Sequence, residues 1–199
     1  MSDFAQNPAG EKPPAGEKPF SDALHREDIE ERARATRMIV FDVDGVLTDG
    51  SLFYGDDGQE YKAFNSRDGH GIKMLRASGV ETAIITGRTS QVVSFRARNL
   101  GIVHLFQGAD DKLEAYEKLL SSVGLAPEQI AYMGDDLVDL PVLRRCGLAI
   151  SVPDAPDEVK ARSHYITRSG AGRGAAREVC ELIMRAQGTW DRQLAIYDR

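Results

Sequence analysis

The sequence predicts one doubly wound, Rossmann-like α/β domain, in which helices cover both faces of a mostly parallel sheet and no large cap domain is present. Three observations support this fold class. The chain has 199 residues, 42% of them hydrophobic and 28% charged, which suits a single globular core. Apolar runs such as MIVF and AII are typical of strands buried on both faces. Amphipathic helical stretches alternate with these runs after residue 37, as in βαβ units.

The predicted elements follow that alternation in chain order. Strands are predicted at residues 38–43, 81–85, 103–106, 129–133 and 148–152, with a shorter one at 164–167. Helices are predicted at residues 69–78, 89–100, 111–123, 136–145 and 173–187. After the first strand, the aromatic runs SLFY and QEYKAF flank a Gly/Asp turn, which predicts a β-hairpin at about residues 51–64. A hairpin at this point lies over the carboxyl ends of the strands, where this fold binds ligands.

The two ends of the chain differ from its middle. Residues 1–21 hold four of the eight prolines and two copies of Gly-Glu-Lys-Pro, a composition that predicts disorder. Residues 22–36 predict a short charged helix capped by Ser21 or Asp22. The predicted organisation is therefore an extension over residues 1–36, a folded domain over 37–188 and a tail over 189–199.

Charge and cysteine content exclude several classes of function. The net charge of −6 offers no basic face for nucleic acid and no polybasic patch for a membrane surface. No run of roughly 18 apolar residues predicts a membrane span, and we expect no secretory signal. Cys146 and Cys180 are isolated, so we expect neither a disulfide framework nor a zinc site, and a reducing cytoplasm as the location. An anionic ligand would need a few local cations, helix N-termini or a bound metal.

The strongest chemical signal is Asp42 and Asp44, two residues apart at the end of the first predicted strand in the run FDVDGVLTDG. In extended backbone this spacing places both carboxylates on one side. Two close carboxylates repel each other unless a cation lies between them, and Mg²⁺ prefers such oxygen ligands. The alternative is an ordinary Asp-Gly turn, which explains Asp44 and Gly45 but leaves Asp42 unexplained.

A second acidic run, GDDLVD, follows the strand IAYM. If the first and fourth strands are neighbours, Asp135 lies beside Asp42 and becomes a metal ligand. Asp139 or Asp136 would support that site. The alternatives are that Asp136 caps the following helix and that Asp139 is a solvated helical residue.

Two further residues suit the binding of an oxyanion. Thr86, in ITGR, ends a strand and offers a hydroxyl beside free backbone N–H groups. Its alternative role is a plain helix N-cap. Lys112 lies in the first turn of a helix, where the helix dipole disfavours a cation, and this position favours a lysine that faces an anion over an ordinary surface lysine.

Together these motifs carry a resemblance. The order DVDGVLTDG, ITGR, a lysine at a helix start and GDDLVD resembles the four motifs of the haloacid dehalogenase superfamily of phosphotransferases, over residues 38 to about 187. With the hairpin, FNSRDGHGIK and GRGAAREVCELI, the chain is similar to 3-deoxy-D-manno-octulosonate 8-phosphate (KDO 8-phosphate) phosphatases, which are capless tetramers of lipopolysaccharide sugar synthesis. The same pattern resembles phosphatases of 9-carbon keto-sugar acids and phosphatase-like domains attached to sialate-activating enzymes.

The resemblance implies a role for each motif residue. Asp42 is expected to be the nucleophile that forms an aspartyl-phosphate, and Asp44 the acid/base. Mg²⁺ would be held by the Asp42 side chain, the Asp44 backbone carbonyl and Asp135. The phosphoryl group would be bound by the remaining motif groups, which are Thr86, Lys112 and the backbone N–H groups near Gly45 and Gly87.

A keto-sugar acid also carries a carboxylate, which calls for cations of its own. Arg88 and Arg96 are eight residues apart on the predicted helix after Thr86, which places them on one helix face. Arg67 is a third candidate, and the alternative for each arginine is a solvated surface charge. An idle assembly domain and a phosphate-accepting receiver domain are the competing functions. The complete residue set argues against the first, and the acid/base Asp44 argues against the second.

The hairpin carries large apolar side chains, which are Leu52, Phe53, Tyr54, Tyr61 and Phe64. A single exposed hairpin is marginally stable in water, and its open edges invite pairing with other copies. We therefore expect hairpins from several subunits to pack together and to roof neighbouring sites, in a tetramer according to the resemblance. The alternative is a hairpin folded back on its own domain.

Overall fold

The computed structural model describes residues 26–198. The predicted disorder of residues 1–21 and the predicted cap at Ser21 or Asp22 lie outside the described residues. A helix is present within the predicted range 22–36, and its described part, α1, spans Arg26–Ala35.

A six-stranded parallel sheet forms the centre of the molecule, as predicted. The strands of this sheet are β1 Met38–Phe41, β4 Glu81–Ile85, β5 His104–Phe106, β6 Ile130–Met133, β7 Leu148–Ser151 and β8 Tyr165–Ile166. Between β1 and β4 the chain forms the hairpin strands β2 Phe53–Tyr54 and β3 Glu60–Tyr61. The order across the sheet is β5-β4-β1-β6-β7-β8. Every residue of β1, β6 and β7 is buried, and their side chains are apolar except for the hydroxyls of Tyr132 and Ser151.

The register of this sheet brings the functional strand ends together. Met38 of β1 pairs with Glu81 of β4 on one side and with Ile130 of β6 on the other. Because the strands are parallel, their carboxyl ends meet at one edge, and the predicted neighbourhood of the first and fourth strands is confirmed. β1 ends at Phe41, so the residues after it form a loop instead of the predicted continuation of the strand to residue 43.

Helices cover both sides of the sheet. After α1 they are α2 Ser66–Ala77, α3 Gln91–Leu100, α4 Lys112–Val123, α5 Leu140–Leu143, α6 Asp157–Lys160, α7 Ala175–Ala186 and α8 Trp190–Leu194. Ser90 caps α3 and Asp111 caps α4, each accepting backbone N–H bonds through its side chain. Within residues 26–198, no helix has the length and apolar character needed to cross a membrane.

One predicted helix is wrong in form. In place of a continuous helix over residues 136–145, the chain makes a 3₁₀ turn, Leu137–Asp139, followed by the four-residue α5. The side chain of Asp139 accepts the N–H groups of Asp135 and Asp136, and this local bonding tightens the first turn. Two short helices, α6 and α8, were not predicted.

Helices α1 and α8, at the two ends of the described chain, contact the domain that contains the sheet. Arg32 of α1 donates to the Gly147 carbonyl at 2.6 Å, and Gln187 donates to the Thr36 carbonyl at 2.6 Å. Trp190 of α8 lies beneath the guanidinium of Arg185, 4.4 Å from its ring centre. The division into an extension, a domain and a tail stays a prediction.

The hairpin has two faces of opposite character. Phe53 pairs with Tyr61 across the strands, and both side chains are more than half exposed. On the other face the Tyr54 hydroxyl and Glu60 both contact Arg88, and Lys62 pairs with Asp44, although Tyr54 is about as exposed as Phe53. The polar face therefore covers the strand ends, while the apolar face is directed outward.

Candidate active site

The centre of the site is Asp42, the first residue after β1. Its backbone N–H donates to the Met133 carbonyl of β6 at 3.0 Å, which fixes it at the carboxyl edge of the sheet. Its Oδ1 accepts the Val43 N–H at 2.6 Å, and its Oδ2 accepts the Lys112 ammonium at 2.5 Å. The side chain is almost fully buried. Both oxygens of Asp42 are therefore held, Oδ1 by a backbone N–H group and Oδ2 by the Lys112 ammonium.

Lys112 begins α4 and is buried between two carboxylates. Its Nζ lies 2.5 Å from Asp42 Oδ2 and 2.7 Å from Asp139 Oδ1. Burial by itself would lower the pKa of Lys112, but the two carboxylates outweigh burial and raise it. The alternative of a surface lysine is wrong, and the ammonium stays charged beside Asp42.

Asp139 organises this corner of the site. Its Oδ1 accepts the Tyr132 hydroxyl at 2.6 Å as well as Lys112, and its Oδ2 accepts the N–H groups of Asp135 and Asp136 at 3.0 and 3.1 Å. It is fully buried, so the alternative of a solvated helical residue is wrong. Asp136 is exposed and caps the 3₁₀ turn, as one of its predicted alternatives had it.

Three carboxylates crowd together with a single ammonium. Ligand oxygens of Asp42, Asp135 and Asp139 lie within 4.8 Å of one another. Burial, followed by the charges of Asp42 and Asp139, raises the pKa of Asp135 to about 7, and burial raises that of Asp42 to about 6 despite the charge of Lys112. The geometry therefore leaves negative charge that a further cation would neutralise.

The residues present fit a magnesium ion. Among residues 26–198, Asp135 Oδ1 is buried and accepts no hydrogen bond, so an oxygen is directed into the site without a partner. Gly45 has φ +85°, and a Cβ there would lie 2.0 Å from Asp135 Oδ2, so only glycine lets the loop pass this close. Unpaired carboxylate oxygens are the donors that Mg²⁺ prefers.

Asp44 lies in a turn, so the expectation of extended backbone between Asp42 and Asp44 is wrong. The N–H groups of Val46, Leu47 and Thr48 all donate to the Val43 carbonyl. Asp44 forms ion pairs with Lys62 and, at 3.8 Å, with Arg88. Asp42 and Asp44 therefore face different cations at the same edge of the sheet.

Thr86 directly follows β4 and is buried at the carboxyl edge of the sheet, the edge at which Asp42 also lies. Its N–H donates to the Phe106 carbonyl at 2.9 Å, and its carbonyl accepts the Ala109 N–H at 3.1 Å. The alternative of a helix N-cap is wrong, because α3 begins at Gln91 and Ser90 caps it. Gly87 follows in the same exposed loop.

The arginines do not share one helix face. Arg88 precedes α3 and is exposed beside Asp44 and the hairpin, whereas Arg96 lies within α3, so their predicted common face is wrong. Arg96 donates to the Asn65 carbonyl at 3.0 Å and lies over the Phe64 ring. Arg67 is exposed in the first turn of α2, near Gly174.

Sequence reasoning missed the inward face of the hairpin and the hydroxyl of Tyr132. Lys62 and Glu60 pair with each other at 3.3 Å, and Glu60 also meets Arg88 at 3.4 Å. The signal was present: Tyr54 on one strand and Glu60 and Lys62 on the other occupy alternate positions, which share one side of a hairpin. The prediction for the hairpin rested on its large apolar side chains and did not consider these polar positions.

A parallel sheet with a buried aspartate at the end of a central strand, a buried lysine and an acidic cluster is the arrangement expected of the haloacid dehalogenase superfamily. A model of the haloacid dehalogenase-like hydrolases matches residues 90–179. The KDO 8-phosphate phosphatase KdsC of Yersinia pestis is 50% identical over 161 residues, which cover 81% of this chain and 86% of that protein. The chain therefore belongs to the family of KDO 8-phosphate phosphatases within the haloacid dehalogenase-like hydrolases.

Solved structures agree with this placement. A probable YrbI family phosphatase from Pseudomonas syringae pv. phaseolica superimposes with a TM-score of 0.85 at 54% identity, covering 87% of this chain and 98% of that one. The KDO 8-phosphate phosphatase of Moraxella catarrhalis, solved with a magnesium ion, a phosphate ion and a KDO molecule, gives a TM-score of 0.85 at 45% identity. The match covers 87% of this chain and 99% of the Moraxella chain.

Proposed function

We propose that this protein hydrolyses 3-deoxy-D-manno-octulosonate 8-phosphate to the free sugar acid and phosphate, with Mg²⁺, in lipopolysaccharide biosynthesis. The observation that carries the proposal is the buried Asp42–Lys112–Asp139 arrangement at the edge where Asp135 leaves a carboxylate oxygen unpaired. The Moraxella relative, which binds magnesium, phosphate and KDO, supports the substrate.

In the first half of the reaction, an Asp42 oxygen attacks phosphorus and the bond from phosphorus to the sugar oxygen breaks. Asp44 gives its proton to that departing oxygen, so the free sugar acid leaves and an aspartyl-phosphate remains. Lys112 and the Thr86 hydroxyl bind phosphoryl oxygens, and the backbone N–H groups near Gly45 and Gly87 complete the cradle. The charge of Lys112, held by its two carboxylates, is available throughout.

In the second half, water attacks the phosphorus and the bond to Asp42 breaks. Asp44, now a carboxylate, takes a proton from the water, and inorganic phosphate is released. Both Asp42 and Asp44 thereby return to their starting forms.

The proposed magnesium ligands are the Asp42 side chain, the Asp44 backbone carbonyl and Asp135. Bound Mg²⁺ would neutralise charge on the transferring phosphoryl group. The carboxylate of Asp44 is directed to Lys62 and Arg88 instead, which is consistent with a ligand role for its backbone alone. The carboxylate of Asp139 accepts hydrogen bonds from Lys112, Tyr132 and two backbone N–H groups. We therefore assign Asp139 to positioning Lys112 and not to binding the metal.

Arg88 is the proposed first contact for the sugar carboxylate, because its exposed guanidinium lies beside Asp44 at the mouth of the site. Arg67 and Arg96 stay proposed substrate contacts. One NH₂ group of Arg96 donates to the Asn65 carbonyl, and this bond holds its guanidinium against the segment that joins the hairpin to α2.

We also propose a homotetramer located in the cytoplasm. The outward pair Phe53 and Tyr61 leaves a large apolar surface on each hairpin, which a second hairpin would cover. Within one chain the inward face contacts Asp44 and Arg88, as in the alternative of a hairpin folded back on its own domain, so the proposed packing against neighbouring subunits and roofing of their sites rests on the outer face. The two buried free cysteines suit a reducing compartment.

A substrate panel tests the proposal. Phosphate release from KDO 8-phosphate, a 9-carbon keto-sugar acid phosphate, glucose 6-phosphate and p-nitrophenyl phosphate is measured with Mg²⁺ and with EDTA. We expect KDO 8-phosphate to have the highest kcat/KM and EDTA to abolish every activity. Asp42→Asn, which removes the attacking oxygen, should be folded and inactive. Preference for the 9-carbon substrate would reassign the substrate, and no hydrolysis of any monoester would refute the function.

A further inference from the structure

Lys62 has no role in the chemistry described so far, yet it is the most enclosed side chain of the hairpin, with 0% of its surface exposed. It lies one residue beyond β3, beside a strand pair whose Phe53 and Tyr61 side chains are more than half exposed. Lysine is almost never fully buried unless it is paired, and Lys62 is paired twice, with Asp44 and with Glu60. A buried ammonium at this position therefore binds the loop of Asp44 to the hairpin.

The two oxygens of Asp44 are in different environments. Oδ1 accepts a hydrogen bond from the Lys62 ammonium. Oδ2 is buried and accepts no hydrogen bond from any residue in the described range 26–198, and the Nε atom of Arg88 lies 3.8 Å from it. Lys62 thus holds the carboxylate by one oxygen and leaves the other without a hydrogen-bond partner.

We propose that Lys62 is a positioning residue for Asp44, an inference that rests on the proposed phosphatase function. By holding Oδ1, Lys62 directs Oδ2 toward the reacting phosphate. Oδ2 then carries the proton that passes to the departing sugar oxygen and receives the proton that the attacking water releases. The proton count on Asp44 is restored after each turnover, and Lys62 itself exchanges no proton.

The same contacts make the hairpin part of the catalytic apparatus. Glu60 holds the Lys62 ammonium from the hairpin side at 3.3 Å and also approaches Arg88 at 3.4 Å. Two carboxyl groups, of Asp44 and Glu60, and two basic side chains, of Lys62 and Arg88, therefore form one network between the hairpin, the Asp44 loop and the loop before α3. The rotamer of Asp44 is set only while the hairpin lies over the strand ends.

The experiment compares Lys62→Met with Lys62→Arg and with the control Lys118→Met, which removes a largely exposed lysine from the surface of α4. Steady-state kinetics use KDO 8-phosphate, whose departing oxygen needs a proton, and rapid-quench kinetics use p-nitrophenyl phosphate, whose leaving group departs as an anion. Circular dichroism and thermal unfolding establish that each variant is folded.

For Lys62→Met we expect kcat on KDO 8-phosphate to fall about 100-fold with little change in KM, the size expected for a misplaced catalytic group. With p-nitrophenyl phosphate, attack by Asp42 should stay fast while hydrolysis of the aspartyl-phosphate slows. A burst of nitrophenolate, approaching one per active site, should therefore precede slow turnover. Lys62→Arg should recover most of the activity, and Lys118→Met should match the unsubstituted enzyme.

Three results would overturn the inference. They are an unchanged kcat in folded Lys62→Met, an equal loss in the burst and in steady turnover, and a Lys62→Arg variant as impaired as Lys62→Met. Each differs from a failure of the proposed function, because in that case the unsubstituted enzyme with Mg²⁺ would hydrolyse neither substrate.

Discussion

Asp139 gives the sharpest test of how the site is held together, because its carboxylate accepts four hydrogen bonds from buried or backbone donors. Asp139→Asn keeps the shape of the side chain but replaces one acceptor oxygen with an NH₂ group. If the remaining oxygen faces Lys112 and Tyr132, the N–H groups of Asp135 and Asp136 lose their acceptor. If it faces those N–H groups instead, Tyr132 loses its acceptor and Lys112 keeps only Asp42.

The first orientation leaves two backbone donors unsatisfied, and the second leaves the Tyr132 hydroxyl unsatisfied and removes one of the two carboxylate acceptors of Lys112. Each buried unsatisfied donor costs about 1–3 kcal/mol. Removing one of three neighbouring carboxylates returns part of this, because Asp139 raises the pKa of both Asp42 and Asp135. We therefore expect the free energy of unfolding of metal-free Asp139→Asn to be lower by about 3 kcal/mol at pH 7.

Urea unfolding in EDTA at fixed protein concentration, followed by far-UV circular dichroism, measures this difference. The matched control is Asp136→Asn, in the same 3₁₀ turn, because asparagine caps as well as aspartate and the residue is exposed. We expect the control to differ from the unsubstituted protein by less than about 0.5 kcal/mol. A loss below about 1 kcal/mol in Asp139→Asn would refute the reasoning, since the two donors would then have found other partners.

Three further predictions concern recognition, assembly and pH. Arg88→Ala should lower kcat/KM for KDO 8-phosphate about 10- to 100-fold more than for p-nitrophenyl phosphate, as expected for a lost charged hydrogen bond; equal losses would exclude a carboxylate contact. Phe53→Asp should dissociate the assembly in light scattering and lower activity, while Val103→Asp, at an apolar residue that is even more exposed, should do neither; an assembly unaffected by Phe53→Asp would contradict the hairpin interface. His164 accepts the Ala149 N–H through Nδ1, and burial lowers its pKa from 6.5 to about 4. Its folded pKa lies below its unfolded pKa, so its neutral form contributes stability above pH 6.5 that is lost as the pH falls toward 4. At about 1.4 kcal/mol per pKa unit, this shift contributes at most about 3 kcal/mol to the free energy of unfolding. Because His164 is partly exposed, we expect roughly 1–2 kcal/mol. His164→Gln should flatten urea-derived stability across that pH range, and an unchanged pH slope would contradict the assignment.

The sequence alone determined the fold class and the aspartates of the site. Strand–helix alternation depends on local periodicity, and the runs MIVF, AII and IAYM lie in buried strands because no charged residue interrupts them. A parallel sheet brings the carboxyl ends of adjacent strands together, so Asp42, Thr86 and Asp135 follow from their places after those strands. Lys112 at a helix start was equally visible, because the conflict with the helix dipole is a local property.

Details of the local backbone required the structure. Asp42 and Asp44 were expected on one side of an extended strand, but β1 ends earlier and the chain turns around the Val43 carbonyl. Arg88 and Arg96 were expected on one helix, but Ser90 caps α3 two residues after Arg88. Capping and turn formation decide element ends through single hydrogen bonds, which periodicity does not resolve.

Only the tertiary structure decided which charged and polar groups contact each other. Lys112 and Asp42 are 70 residues apart in the chain, Arg96 and Asn65 are 31 apart, and Lys62 and Asp44 are 18 apart. A lysine is compatible with a solvated surface until a fold encloses it, and its pairing with carboxylates depends on where other elements place them. The sequence therefore determined the chemical groups that the strand ends present, whereas long-range packing decided that Asp139 holds Lys112 and that Lys62 holds Asp44.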